Sequence, residues 1–294
     1  EETRDEAVAI HMHPVHGALP VAAGDSLVVE LVQGGRAEPR AADGAPGLPR
    51  LFAGTAVVHT ASTLGYLPSL LSTAGDVFRG VGSTWAPGTQ AFCVSGLVRR
   101  PGLYEVELGA GTVRDLVEGA AGGARQGRTL KFVLHAGYGS SPALAGADLD
   151  RRLDPGCWSD PAGGELPGVF GGGDVIVADD SVCAVDTARS MARFFAGAAC
   201  GKCLPCREGT AWLATALERL EAGTAEPDDL DWITRRCAAM TPDVALCGHG
   251  PAAARAISAL LQAFEDEFEA HLDGGCPVTK DMSMKVPDSI HVRY

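Results

Sequence analysis

Three cysteines at steps of three, in Cys200-Gly201-Lys202-Cys203-Leu204-Pro205-Cys206, crowd three thiols onto one tight loop. The nine cysteines of the chain are an odd number. In a reducing compartment such a loop reads as metal ligation before it reads as disulfides. The spacing lets one turn of polypeptide reach three corners of a cubane, which leaves the fourth iron for a distant ligand. Cys247 is the candidate, in Ala245-Leu246-Cys247-Gly248-His249-Gly250-Pro251. Its glycines permit close backbone approach, and Pro251 suits the first turn of a following helix. Arg207-Glu208-Gly209-Thr210 is read as the start of another helix, directly after Cys206. Both helix N-termini would then face an anionic group, with Lys202 and Arg207 adding full positive charges, an environment that raises a reduction potential. A tetrahedral zinc is the alternative, although zinc sites usually present two Cys-x2-Cys pairs. His249 could replace a thiolate, but a surface histidine in a glycine loop is the simpler reading. Cys93, Cys183 and Cys237 fall on strand or helix faces and read as small core residues. Cys157 and Cys276 stand alone in loops and receive no role.

With 294 residues the chain is long enough for two or three units, and 46% hydrophobic against 21% charged residues supplies real cores. Twenty-four Lys and Arg against 37 Asp and Glu give a net charge of −13, which argues against nucleic acid or an anionic membrane as the main partner. Apolar runs such as Ala256-Ile257-Ser258-Ala259-Leu260-Leu261 stop far short of the roughly 20 residues that span a bilayer. The acidic start, Glu1-Glu2-Thr3-Arg4-Asp5-Glu6, does not resemble a secretory signal, so a cytoplasmic location without direct membrane insertion is expected.

Residues 1–90 are rich in Gly, Pro and Ala and read as loops with short helices or strands, such as Ser26-Leu27-Val28-Val29-Glu30-Leu31. From Ala91 the pattern sharpens. Phe92 to Gly96 reads as a strand, Arg100-Pro101-Gly102 as a turn, and Tyr104 to Leu108 alternates with period two, which together make a hairpin. Thr112-Val113-Arg114-Asp115 has the spacing of a capping box, and Gly122-Gly123 closes the short helix that follows. Further strands are predicted at Leu130 to His135 and Asp174 to Ala178. Gly171-Gly172-Gly173 precedes a strand, so it reads as a turn and not as a phosphate cradle. The resulting expectation is an α+β chain with a β-grasp unit over 91–180. After Asp180 four helical stripes follow: Val185 to Phe195, Leu213 to Leu220, Leu230 to Met240, and a longer one from Ala254 to Phe268. They predict a four-helix bundle over 181–273, followed by a tail over 274–294.

The run from Phe194 through Cys200, Cys203 and Cys206 to Thr210 resembles the cluster loop of the NADH-binding flavoprotein (F-type) subunit of respiratory complex I. The same subunit type recurs in NAD-linked hydrogenases and formate dehydrogenases. The likeness continues through Gly172-Gly173-Asp174-Val175-Ile176-Val177-Ala178-Asp179-Asp180-Ser181, and Val94 to Val106 is similar to the family's soluble-ligand-binding β-grasp domain. It implies that Cys200, Cys203, Cys206 and Cys247 bind a [4Fe-4S] cluster that takes electrons from FMN. For residues 1–90 it implies a truncated and degenerate flavin and NADH domain, since the family's glycine-rich loop would precede Glu1. Where relatives have Gly-Glu-Glu-Thr this chain has Gly24-Asp25-Ser26. Where they have Val-Val-Asn-Asn-Val-Glu-Thr it has Val57-Val58-His59-Thr60-Ala61-Ser62-Thr63, while Gly35-Arg36 and Glu38-Pro39-Arg40 still align. His59, Thr60 and Thr63 are the candidate remnants of flavin contacts, and bound FMN is not expected.

The expected function is an electron-transfer subunit that carries one cluster between a flavin or another cluster and a partner subunit of an oxidoreductase complex, peripheral to a membrane at most. Two rivals differ in class: a complete NADH:acceptor dehydrogenase flavoprotein, and a structural zinc protein that docks through its β-grasp face.

Overall fold

Alternating side chains along two central strands decide how this molecule is layered. The computed structural model describes residues 11–13, 29–35, 50–52, 54–73, 75–135, 143–155, 173–274, 276 and 278. Residues 29–32 are helical, and β1 (Arg50–Leu51) and β2 (Gly54–Thr55) pair as a short antiparallel ladder. Helices α1 (Ala61–Thr73) and α2 (Gly75–Arg79) follow. A five-stranded sheet is then built from β3 (Thr89–Gly96), β4 (Gly102–Glu107), β5 (Leu130–His135), β6 (Ala143–Leu144) and β7 (Asp174–Asp179), in the order β4-β3-β7-β5-β6. The pair β3 and β7 is parallel and the other pairs are antiparallel. This is a mixed α/β architecture with a mixed sheet.

The predicted hairpin and both later strands are present at nearly the expected residues. The capping box also forms: the Thr112 backbone N–H and hydroxyl donate to Asp115 Oδ2 at 2.9 and 2.8 Å, and the Asp115 N–H donates back to Thr112 Oγ1 at 3.1 Å. The short helix it opens, Asp115–Ala120, is a π-helix closed by Gly122 and Gly123 at φ of 80° and 76°. Gly173, at φ +83°, lies so close to β3 that a Cβ would stand 2.3 Å from the Ala91 carbonyl oxygen, and its own carbonyl accepts from the Cys93 N–H. It is a turn residue, as expected. Gly171 and Gly172 lie outside the described residues, as do Cys157, Gly24-Asp25-Ser26 and Glu38-Pro39-Arg40.

Cys93 corrects the expectation of a core thiol. Phe92 and Val94 point inward, so strand alternation turns Cys93 outward to solvent. The same alternation splits β5 and β7 between two cores. Val133, Val175 and Val177 pack with Leu116 and Val117 of the π-helix, whereas Phe132, Leu134 and Ala178 face the helices that follow. One face of the sheet therefore shares its core with those helices, and the other face packs on the π-helix.

Those helices are α3 (Ala184–Gly197), α4 (Leu204–Glu221), α5 (Asp229–Ala238), α6 (His249–Ala263) and α7 (Glu265–Leu272). The fourth predicted stripe is thus two helices, which makes five where four were expected. The chain leaves helical geometry at Phe264 (φ −135°, ψ 39°), whose ring meets Phe132 at 5.3 Å between centroids and lies under the Lys131 ammonium. Lys131 in turn pairs with Glu267 at 2.6 Å, and the second oxygen of Glu267 accepts from the Ala184 N–H at 2.8 Å, at the start of α3. This mostly buried pair ties α7 to both the sheet and the first helix of the bundle.

At the end of β7, Asp179 is fully buried. Burial alone would raise its pKa, but Arg125 (2.7 Å) and the hydroxyl and N–H of Ser181 (2.6 and 3.1 Å) outweigh that and hold it below the usual carboxylate range. Because the folded pKa is depressed, the stabilisation is present above the unfolded carboxylate pKa and is lost as pH falls through the folded one. Arg125→Met, which strands the carboxylate, should cost roughly 3 kcal/mol at neutral pH, and the deficit should shrink in urea melts repeated toward pH 3. A deficit independent of pH would show that the pair does not act through the carboxylate charge.

Candidate metal centre

Two helix N-termini meet at the cysteine loop. After α3 the chain turns through Gly201, which sits at φ +78°, and Cys203 occupies the N-cap of α4 in extended geometry, with Pro205 in the first turn where no N–H is needed. The helix therefore starts at Leu204, before Cys206 and not after it, and Cys206 is carried in its first turn. Cys247 immediately precedes Gly248, the N-cap of α6, and Pro251 lies in that helix's first turn as expected. The two ends touch at Gly250: a Cβ there would stand 3.2 Å from Cys206 Cβ and 3.4 Å from its Cα. A branched side chain there would press on Cys206 and push α6 away from α4. One turn along, Gly209 similarly admits the Met240 side chain.

Cys200, Cys203, Cys206 and Cys247 line one pocket together with Gly201, Lys202, Leu246 and His249, about 290 Å³ including the part open to solvent. The sequence-predicted cysteines are thus brought together from positions up to 47 residues apart (247 − 200). Burial pushes the Cys206 thiol up to about 12, and the neighbouring sulfurs of Cys203, Cys247 and Cys200 add to the effect. Cys247 is also raised, by burial first, against the pull of the His249 N–H. Four thiolates cannot share this space without cations among them. Among the described residues, the donor trio drawn within 4.8 Å of one another is Cys183, His271 and Cys276, and not a trio from these four.

His249 corrects the surface reading: it is 2% exposed. Its Nε2 lies 2.9 Å from the Phe195 carbonyl, which can only accept, so Nε2 carries the proton and the buried Nδ1 has no hydrogen-bond partner. Burial lowers its pKa and keeps the ring neutral. The sequence held no signal for this, because the contact spans 54 residues. Lys202 lines the pocket, whereas Arg207 turns away to Glu208 (2.9 Å) and braces the loop through the Gly201 carbonyl (3.3 Å). His59, Thr60 and Thr63 are exposed and do not line the pocket. Thr60 Oγ1 accepts from the Thr63 N–H at 3.2 Å and caps α1.

Residues 186–271 match the NADH-ubiquinone oxidoreductase-F iron-sulfur binding region, and all four pocket cysteines fall within them; residues 91–143 match the SLBB domain. The chain is similar over most of its length to F-type subunits of NADH-quinone oxidoreductase. It is 36% identical over 264 residues to the second F-type NADH-quinone oxidoreductase protein of Rhizobium meliloti (strain 1021), covering 90% of this chain and 61% of that protein. It is 30% identical over 258 residues to the NADP-reducing hydrogenase subunit HndC of Solidesulfovibrio fructosivorans, covering 86% and 50%. The crystal structure of NAD+-reducing [NiFe]-hydrogenase in the air-oxidized state matches with a TM-score of 0.72 at 29% identity, over 86% of this chain and 42% of that one. The chain thus spans about three fifths or less of the relatives it matches. A [4Fe-4S] cluster is the cofactor of this family's iron-sulfur region, and the crowded thiols and paired helix N-termini fit it. Among the described residues no helix is long and apolar enough to cross a membrane.

If the Gly250 contact sets the pocket, Gly250→Val should lower iron and labile sulfide per chain by roughly half or more while far-UV helicity stays, because metal binding needs the folded ligand geometry. Gly197→Ala, whose Cβ meets open space, is the control and should leave both unchanged. Full iron content in the valine variant would refute the role assigned to the glycine.

Proposed function

We propose that Cys200, Cys203, Cys206 and Cys247 ligate one [4Fe-4S] cluster, and that the chain is the electron-transfer part of a multi-subunit oxidoreductase. The observation that carries this reading is the convergence of the four thiols on one pocket between two helix N-termini. When bound, the cluster supplies one-electron chemistry. The residues of this chain do the rest. The first-turn N–H groups of α4 and α6 and the Lys202 ammonium favour added negative charge, while Leu246 and neutral His249 wall the pocket from water. Leu204, 62% exposed at the first position of α4, offers an apolar contact beside the cysteines for a partner subunit.

In this reading residues 1–90 are the remnant of a flavin and NADH domain, 91–180 a β-grasp domain, 181–273 the helical cluster domain and 274–294 a tail, on the cytoplasmic side. The strand order β4-β3-β7-β5-β6 around a short helix supports the β-grasp assignment. The capping role of Thr60, at a position where relatives place flavin contacts, supports a remnant over a working flavin site. FMN retention and NADH oxidation by this chain alone are accordingly not expected, and flavin released by denaturation would show otherwise.

Anaerobically prepared protein should be brown, with about four irons and four sulfides per chain and a cubane EPR signal on reduction. Cys247→Ala should lose the cluster and the cooperative melt of the helical part. Cys237→Ala removes one buried sulfur from the core and should cost about 1–2 kcal/mol with iron retained. The reverse pattern would overturn the ligand set, and stoichiometric zinc without labile sulfide would overturn the cluster.

A further inference from the structure

Two indoles and a guanidinium are stacked on the outer side of α4 and α5, where neither core uses them. The Arg236 guanidinium lies 4.1 Å from the centre of the Trp212 ring and 5.0 Å from that of Trp232, with the two rings 6.0 Å apart. Beside this stack, Pro205, Gly209, Ala239 and Met240 line a notch of about 570 Å³, including the part open to solvent, and Leu204 stands at its edge. We infer that this surface docks an extended segment of the partner subunit, which places an apolar side chain in the notch and, two residues along, a carboxylate on Arg236. The inference rests on the reading of the chain as an electron-transfer subunit and names the surface by which its partner approaches.

Charge argues for the carboxylate. Among the described residues no acid pairs with the Arg236 guanidinium. The acids nearby are engaged with one another's neighbours: Asp229 takes Arg219 and the Glu226 N–H, and Glu208 pairs with Arg207 at 2.9 Å. Glu226 and Asp228 line the adjoining hollow without coming within pairing distance of Arg236. Stacking covers the faces of a guanidinium and leaves its N–H edge, so the fork is held in one plane, ready for two parallel bonds to a carboxylate.

The notch argues for an apolar neighbour at a set distance. Leu204 is 62% exposed and Trp212 41%, in a chain whose net charge of −13 otherwise keeps its surface wet. Tryptophan and arginine are the residues on which protein interfaces concentrate their energy, around apolar contacts that exclude water. Met240 follows Arg236 by four residues at the end of α5, about one helical turn of 5.4 Å. An extended segment repeats its side chains on one face every two residues, roughly 6.6 Å, which matches that separation. Leu204 and Pro205 sit between Cys203 and Cys206, so the notch opens beside the cysteine pocket and a segment seated there brings its subunit up to the electron-carrying site.

The test uses the oxidised, iron-loaded full chain with nitrogen-15 in its four indoles. Acetyl-Gly-Leu-Ser-Glu-Gly-amide should shift two of the four indole N–H signals with a Kd of about 1 mM, and the glutamine counterpart should bind roughly tenfold more weakly. Arg236→Gln should abolish that preference. Arg235→Gln, at the exposed neighbour paired with Asp231, should keep it. Equal binding of the two peptides, a preference that survives Arg236→Gln, or the same shifts from sodium acetate alone would each overturn the docking site. In the intact assembly, a photo-reactive benzoylphenylalanine at Leu204 should cross-link to a subunit segment with an apolar residue two positions from an Asp or Glu. A segment without an acid there, or no cross-link, would also overturn it. Both arginine variants should retain full iron, so a missing peptide response with iron present counts against the docking surface alone, whereas missing iron in the unaltered chain counts against the cluster.

Discussion

Four buried or half-buried thiols sharing one pocket are a repulsive arrangement as soon as any of them ionises, and the fold around them is arranged to make it tolerable. Two helices begin there, so the positive ends of their dipoles lie at the sulfurs, and the His249 N–H is bonded to Cys247. That geometry brings α4 and α6 together end to end, and Gly250 leaves room for the close approach to Cys206. Gly209 makes the equivalent concession to Met240 one turn further on, so α5 can close the bundle beside the loop. The cysteines and the glycines are therefore one device, with the thiols supplying donors and the glycines the approach.

The sheet extends this device outward. Phe132 and Leu134 of β5 and Ala178 of β7 share a core with α3 to α7, and Glu267 binds both Lys131 and the Ala184 N–H. Such a buried pair contributes less to net stability than to fixing one arrangement, since its desolvation offsets much of its attraction. Here the fixed arrangement is the angle at which α3 leaves the sheet and delivers Cys200 to the pocket. The same residues hold α7 in place, and with it His271.

Much of this is legible in the residues and some of it is not, for identifiable reasons. Period-two runs mark β3, β4, β5 and β7, the Thr112 to Asp115 spacing marks the capped turn, and the thiol steps mark the pocket, because each is a local pattern. The break at Phe264 is hidden because one non-helical residue leaves the three-and-four spacing of Leu260, Phe264 and Phe268 intact, while the Phe264 ring packs on a distant partner, Phe132. The N-cap at Cys203 escapes for the opposite reason: Pro205 marks a first turn, but the ligand spacing taken alone makes Cys206 a loop residue. Cys93 needs the register of its strand to be turned outward. His249 and the meeting of Cys183 with His271 rest on contacts across 54 and 88 residues, which no local pattern encodes.

The electrostatics of the chain pull in two directions, and distance decides between them. A net charge of −13 opposes adding an electron anywhere in the molecule. Exposed carboxylates, however, act through water and are largely screened beyond a Debye length of about 8 Å at physiological salt. The N–H groups of α4 and α6 and the Lys202 ammonium border the pocket itself, where Cys206 is 5% exposed and screening is weak. Arg207 is engaged by Glu208 and the Gly201 carbonyl, so its part is to hold the loop's shape more than to supply field. The local dipoles, not the acidic surface, should therefore set the potential at the cysteines, and the surface charge is left free to choose which partner approaches them.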